Sequence, residues 1–138
     1  METTKVSVEA VIQAPIEKVW TYWTEPEHIK KWNQATEEWH APRAENDLRI
    51  GGKFVTRMEA KDGSMGFDFS GVYDDIKLHE LISYTMEDGR RVEIRFEAQG
   101  DATKVIEVFD AESTNPVDMQ QAGWQAIMDN FKRYTEAS

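Results

Sequence analysis

The sequence predicts an α+β fold in which a curved antiparallel sheet of six to seven strands wraps around one long C-terminal helix. Three observations lead there. Apolar residues recur at helical spacing in two short segments near the N-terminus and in one long segment at the C-terminus. Between residues 36 and 110 the period changes to two, the repeat of a strand with one buried face. That middle stretch is punctuated by Asp62-Gly63, Asp88-Gly89 and Gly100-Asp101, dipeptides that favour tight hairpins. The resulting order is β-α-α-β6-α, and a sheet with one apolar face needs a layer to cover it.

Residues 5 to 13 alternate, with Val6, Val8, Ala10 and Ile12 on one side, and read as a half-buried strand. Pro15 suits a first helical turn, and Ile16, Val19, Trp20 and Trp23 follow at i, i+3, i+4 and i+7. Thr24 and Glu27 have the spacing of a capping box, with Pro26 in the first turn of a second helix over roughly residues 25 to 32. That helix turns Ile29 and Trp32 inward. Trp39, Leu48 and Ile50 read as a ragged strand, and Gly51-Gly52 as the bulge or turn that ends it.

Register can be read from the turns. A two-residue Asp62-Gly63 loop sets Met58 opposite Phe67, Thr56 opposite Phe69 and Phe54 opposite Gly71, with Arg57 facing Asp68 on the polar side. The same rule at Asp88-Gly89 sets Leu81, Ser83 and Thr85 against Phe96, Ile94 and Val92. At Gly100-Asp101 two readings exist. A two-residue loop pairs Phe96 with Val105 and Ile94 with Glu107, which turns that carboxyl inward. A three-residue loop pairs Arg95 with Glu107 as an outer salt bridge. The first is preferred, because Val105 and Phe109 then join Val92, Ile94 and Phe96.

The last helix, from Pro116 to Glu136, places Val117, Gln120, Gln121, Trp124, Ile127, Met128 and Phe131 on one face. Two glutamines on an apolar stripe are unexpected, since a buried amide without partners costs roughly 1–3 kcal/mol. They read as the polar lining of a pocket, as groups that bond backbone at the helix start, or as part of a first turn that is simply exposed.

Composition excludes several classes. At 138 residues the chain is expected to be a single domain with a sizeable core. A formal charge of −10 argues against nucleic acid and anionic membranes. No apolar run approaches the roughly 20 residues of a membrane span, so no membrane insertion is expected. Zero cysteines remove disulfides and thiolate chemistry and fit a reducing cytoplasm. His28, His40 and His79 lack metal or nucleophile–base spacing, so neither metal nor cofactor is expected.

Several motifs then occur in order. Ala14-Pro15-Ile16-Glu17-Lys18-Val19-Trp20 and Glu25-Pro26-Glu27-His28-Ile29-Lys30-Lys31-Trp32 come first. Asp47-Leu48-Arg49-Ile50-Gly51-Gly52-Lys53-Phe54, Lys61-Asp62-Gly63 and Gly123-Trp124 follow. Together they resemble the heat-shock-ATPase-activator-homologue type of START-like domain, over nearly the whole chain. The resemblance implies the helix-grip fold of lipid carriers, the birch pollen allergen and aromatic polyketide cyclases. It also implies a cavity between sheet and C-terminal helix that takes a hydrophobic small molecule in many relatives. It implies no single activity, because the fold hosts carriers, enzymes and co-chaperone modules.

The candidate ligand-binding residues are Trp32, Trp39, Met58, Phe67, Phe69, Glu107, Gln120, Gln121 and Trp124, and none is assigned a catalytic role. Trp20 and Trp23 read as core. The expected function is binding of a lipid-like or aromatic ligand, of polyketide or flavonoid type, by a monomer or weak dimer. The second reading is a cyclase- or hydrolase-like enzyme using Glu107, His40 or Tyr84 as acid–base groups. The third is a module that docks on a heat-shock ATPase. It ranks last, because the domain is expected to stand alone, without the additional N-terminal module of the co-chaperones.

Overall fold

The computed structural model describes residues 4–34 and 36–138. Strand β1 (Lys5–Ile12) is followed by helices α1 (Ile16–Thr24) and α2 (Pro26–Trp32). Six strands come next: β2 (Trp39–Asn46), β3 (Lys53–Ala60), β4 (Gly66–Lys77), β5 (Leu81–Met86), β6 (Arg91–Gln99) and β7 (Ala102–Asp110). Helix α3 (Val117–Ala137) closes the chain. The strands form one antiparallel seven-stranded sheet in the order β1-β7-β6-β5-β4-β3-β2. Sequence neighbours are joined by hairpins, and β1 closes on β7. The sheet curls into a half-barrel around α3.

The hairpin after β3 has the expected register, with Met58 facing Phe67, Thr56 facing Phe69 and Arg57 facing Asp68. The hairpin after β6 also follows its two-residue reading, pairing Ile94 with Glu107 and Phe96 with Val105. The hairpin after β5 is displaced by one residue from the expected register. Met86 pairs with Arg90 across a three-residue loop, Glu87-Asp88-Gly89, in which Gly89 takes a φ of +90°. Ile82 therefore faces Ile94 and Tyr84 faces Val92, so Ile82, Tyr84 and Met86 turn inward instead of Leu81, Ser83 and Thr85.

Two local expectations are corrected. Thr24 is the last residue of α1, and its hydroxyl donates to the Trp20 carbonyl at 2.8 Å rather than capping α2. Helix α2 starts from Glu25 without a side-chain cap, its first turn set by Pro26. Leu48 and Ile50 lie in the loop after β2, and Ile50 is 64% exposed. The strand there runs earlier, from Trp39 to Asn46, with a bulge between His40 and Arg43. Period-two spacing with only two apolar residues cannot distinguish that loop from a strand.

The core lies between the concave sheet and α3, and α1 and α2 close one end. Trp23 packs edge-on against Phe131 and Phe96, with ring centroids 4.8 and 6.0 Å apart, and Trp32 meets Phe131 at 4.9 Å. Tyr134, near the end of α3, bonds His28 Nδ1 at 2.6 Å, and the His28 ring stacks on Tyr22. These contacts anchor the C-terminal half of α3, while Trp124 stacks on Phe109 of β7 at 3.8 Å.

The outer edge of β1 is covered by side chains of α3. Thr4 turns its carbonyl to Ala111 beyond β7, so the backbone groups of the odd-numbered residues point away from β7. Gln121 donates to Ser7 O, Gln125 exchanges two bonds with Glu9, Lys132 donates to Val11 O, and Glu136 accepts from Gln13 N. A row of polar side chains on one helix thus occupies an edge that would otherwise accept another strand.

Candidate functional site

A cavity of about 510 Å³ lies between the sheet and α3. Its apolar wall is built in layers. Phe54, Thr56 and Met58 come from β3, Phe67, Phe69 and Tyr73 from β4, and Ile82 and Tyr84 from β5. All eight point the same way because strand residues two apart share a face. Trp23, Ile29 and Trp32 close it from α1 and α2, and Trp124 and Ile127 roof it from α3. Phe54 meets Tyr84 at 4.7 Å and Tyr73 at 5.4 Å between ring centroids, and Phe69 stands edge-on to both Tyr84 and Trp124. Gly71 makes room for this cluster: a Cβ there would lie 2.9 Å from Phe54 Cε1 and 2.8 Å from Thr85 O.

Most of the polar groups gather at one end: Glu107 on β7, Tyr84 on β5, Arg90 beside the β5–β6 turn, and Glu112, Asn115 and Gln120 around the start of α3; Thr56 on β3 and Asn33 after α2 lie apart from them. Glu107 is 7% exposed. Among the described residues no protein group hydrogen-bonds its carboxyl, and burial pushes its pKa up to about 8. Burial likewise raises Tyr84 well above the ordinary tyrosine value, with Glu107 adding to the shift and Arg90 opposing it. Arg90 itself turns Nε to Asp88 Oδ2, 2.7 Å away. The Tyr73 hydroxyl donates to Asn46.

Gln120 is a built-in staple. Its Oε1 accepts from Glu112 N at 2.8 Å, and its Nε2 donates to Glu112 O and Asn115 O at 3.1 and 2.8 Å. Both amide hydrogens are thereby used, and the loop from β7 into α3 is closed on itself. Of the readings of the glutamines, backbone bonding at the helix start accounts for the contacts of Gln120, one of whose lone pairs is left for the cavity, while Gln121 is exposed.

Seven of the nine candidate residues line this space: Trp32, Met58, Phe67, Phe69, Glu107, Gln120 and Trp124. Gln121 and Trp39 do not. Gln121 sits one step round the helix and reaches β1, bonding Ser7 O at 3.2 Å. Trp39 packs its ring on Phe67, 6.0 Å away, outside the cavity wall. His40 stands 3.8 Å from Glu59 and is likewise not part of the lining. Trp23, assigned to the core, contributes to both core and cavity. Sequence reasoning missed Phe54, Tyr73, Arg90, Glu112 and Asn115 as lining residues. Phe54 shares its face with Thr56 and Met58, so strand alternation carried that signal. The loop residues Glu112 and Asn115 carried none.

Among the described residues no cluster of three His, Asp or Glu side chains is placed to hold a metal ion. No helix is long and apolar enough to cross a membrane.

Residues 13–136 match the family model described as Activator of Hsp90 ATPase homolog 1-like protein. The chain belongs to this family. Two similar solved structures agree over nearly the full chain. An Activator of Hsp90 ATPase homolog 1-like protein from Aeromonas hydrophila is 46% identical, with a TM-score of 0.91, covering 97% of this chain and 93% of that one. A protein from Cytophaga hutchinsonii is 59% identical, with a TM-score of 0.84, covering 96% and 92%. A more distant protein from Chromobacterium violaceum, 21% identical and with a TM-score of 0.85, covers 96% of each chain and shares the fold. No curated protein matches this sequence. Membership in the Activator of Hsp90 ATPase homolog 1-like family accounts for the helix-grip arrangement. The activity has to be argued from the cavity.

Proposed function

We propose that this chain is a small-molecule binding protein whose cavity takes an amphiphilic ligand, lipid-like or aromatic in its apolar part. The supporting observation is a space of about 510 Å³ with aromatic walls and most of its polar groups at one end. That volume falls within the roughly 300–1,000 Å³ typical of ligand sites, and so does the pattern of an apolar wall with few convergent polar groups. A solid core would have no reason to line a cavity with a buried carboxyl that no protein group answers. A ligand would remove apolar wall from water at about 25 cal/mol per Å².

The test is titration of lipid-like and polyketide-like compounds followed by amide shifts. Shifts should concentrate on β3, β4, β5 and α3. A ligand that binds while these segments stay unmoved, or a library without a binder, rejects the reading.

Glu107 also favours a second reading, an enzyme of cyclase or hydrolase type. A carboxyl raised to about 8 is poised for proton transfer near neutral pH. Glu107→Gln separates the two: an enzyme loses turnover with binding retained, whereas a carrier changes affinity alone.

A further inference from the structure

The polar end of the cavity has its donors at the exposed edge and an unanswered acceptor, Glu107, buried behind them. Gln120 spends both amide hydrogens on backbone carbonyls, and Arg90 gives its Nε to Asp88, its remaining guanidinium hydrogens and the Asn115 amide standing at that edge. What is open beside Glu107 is mainly oxygen: its own carboxyl, the Tyr84 hydroxyl, one lone pair of Gln120 and the Glu112 carboxylate. Glu112 accepts from Asn115 N through only one of its oxygens. No cation among the described residues answers Glu107. The walls beside it are aromatic rings, whose faces attract cations, and the chain's charge of −10 draws cations toward it.

We propose that the cavity is selective for a hydrophobic amine, with the ammonium held by Glu107 and Tyr84 and the apolar body among Phe54, Phe69 and Trp124. This rests on the binding-protein reading and adds the chemistry of the head group. The ammonium supplies the donors and the counter-charge that the protein does not bring to Glu107. Glu107, neutral in the empty protein at neutral pH, gives up its proton to solvent when the cation enters. The other titratable lining groups are Tyr73 from β4, Tyr84 from β5, Arg90 from the turn before β6 and Glu112 from the loop after β7. Both tyrosines stay protonated through this range, because burial raises them. The lining residues of α1, α2, β3 and α3 carry no charge, and Val8 is the β1 residue opposite Glu107.

The experiment compares three probes with one apolar body: diphenylpropylamine, diphenylpropanol and diphenylpropanoate. Binding is followed by calorimetry and by the fluorescence of Trp23, Trp32 and Trp124. At pH 7.5 the amine is expected to bind at least about tenfold tighter than the alcohol, with the carboxylate weakest. Amine affinity should rise roughly tenfold per pH unit from about pH 6 to 8, with one proton released, read from the buffer dependence of the enthalpy. Glu107→Gln should bring amine and alcohol to equal affinity. An alcohol or carboxylate that binds as tightly as the amine, or amine binding without proton release, overturns the head-group assignment and leaves the binding reading standing. If none of the three binds and fluorescence does not change, both fail. The probe comparison and proton count use the unaltered protein, so they decide the matter even if the variant does not fold.

Discussion

The side-chain amide of Gln125 stands beside Glu9 as a neighbouring strand would: Nε2 donates to Glu9 O at 3.0 Å and Oε1 accepts from Glu9 N at 3.3 Å. With Gln121, Lys132 and Glu136 it gives the edge of β1 a covering that is not itself a strand. Replacing Gln121 and Gln125 together by alanine should lower stability by about 1–2 kcal/mol, since each net hydrogen bond is worth roughly 0.5–1.5 kcal/mol and water partly replaces it here. The uncovered edge should also promote concentration-dependent association, measurable by sedimentation.

Gln120 acts on the loop instead of the edge. Gln120→Leu should cost about 1–3 kcal/mol, because the Glu112 N–H and two carbonyls lose their partner in a half-buried place. Amide hydrogen exchange at Glu112 should accelerate more than at residues in the middle of β7. Equal acceleration across the strand would mean global destabilisation and no specific stapling role.

Glu107 makes stability depend on pH in a definite direction. Its pKa is about 8 when folded, against an ordinary value of 4.5. Between those values the unfolded chain binds fewer protons, so this group's contribution falls as pH rises from 4.5 toward 8. At pH 7 the loss is on the order of 3 kcal/mol. Glu107→Gln should match the wild type near pH 4 and be the more stable protein at pH 8. Urea midpoints at both pH values check this, and parallel profiles would contradict it.

Gly71→Ala tests the aromatic wall. The new methyl would meet Phe54 Cε1 and Thr85 O closer than carbon atoms ordinarily approach. The expected cost is about 1–3 kcal/mol, with altered chemical shifts for Phe54 and Tyr84.

The parts of the fold visible in the sequence were those governed by local chemistry. Gly100-Asp101 forms a two-residue loop, and the longer turn around Asp62-Gly63, closed by the Ala60 N–H to Met65 O bond, keeps the same register, so counting outward from them placed Glu107 and Phe69 on the inner face. At Asp88-Gly89 the turn borrows Glu87, and the count slipped by one. The alternation of Ile82, Tyr84 and Met86 against Leu81, Ser83 and Thr85 contained the corrective signal. The roles of Gln121 and Gln125 were not legible, because their partners lie 114 and 116 residues away. A helical wheel gives a residue's side of the helix but not what stands there. The same holds for Arg90, Glu112 and Asn115, which reach the cavity from connections between elements.

The inward turn of Glu107 hangs on the length of a connection some distance away along β6 and β7. Were one residue added at Gly100, β7 would slide by a single step against β6, and Ile106 or Val108 would take the inner position. The cavity would then lose its buried carboxyl, while Tyr84 and Gln120 would still line it. On the proposed function, whether the pocket presents an acid to its ligand is therefore set partly by how many residues the chain spends turning a corner.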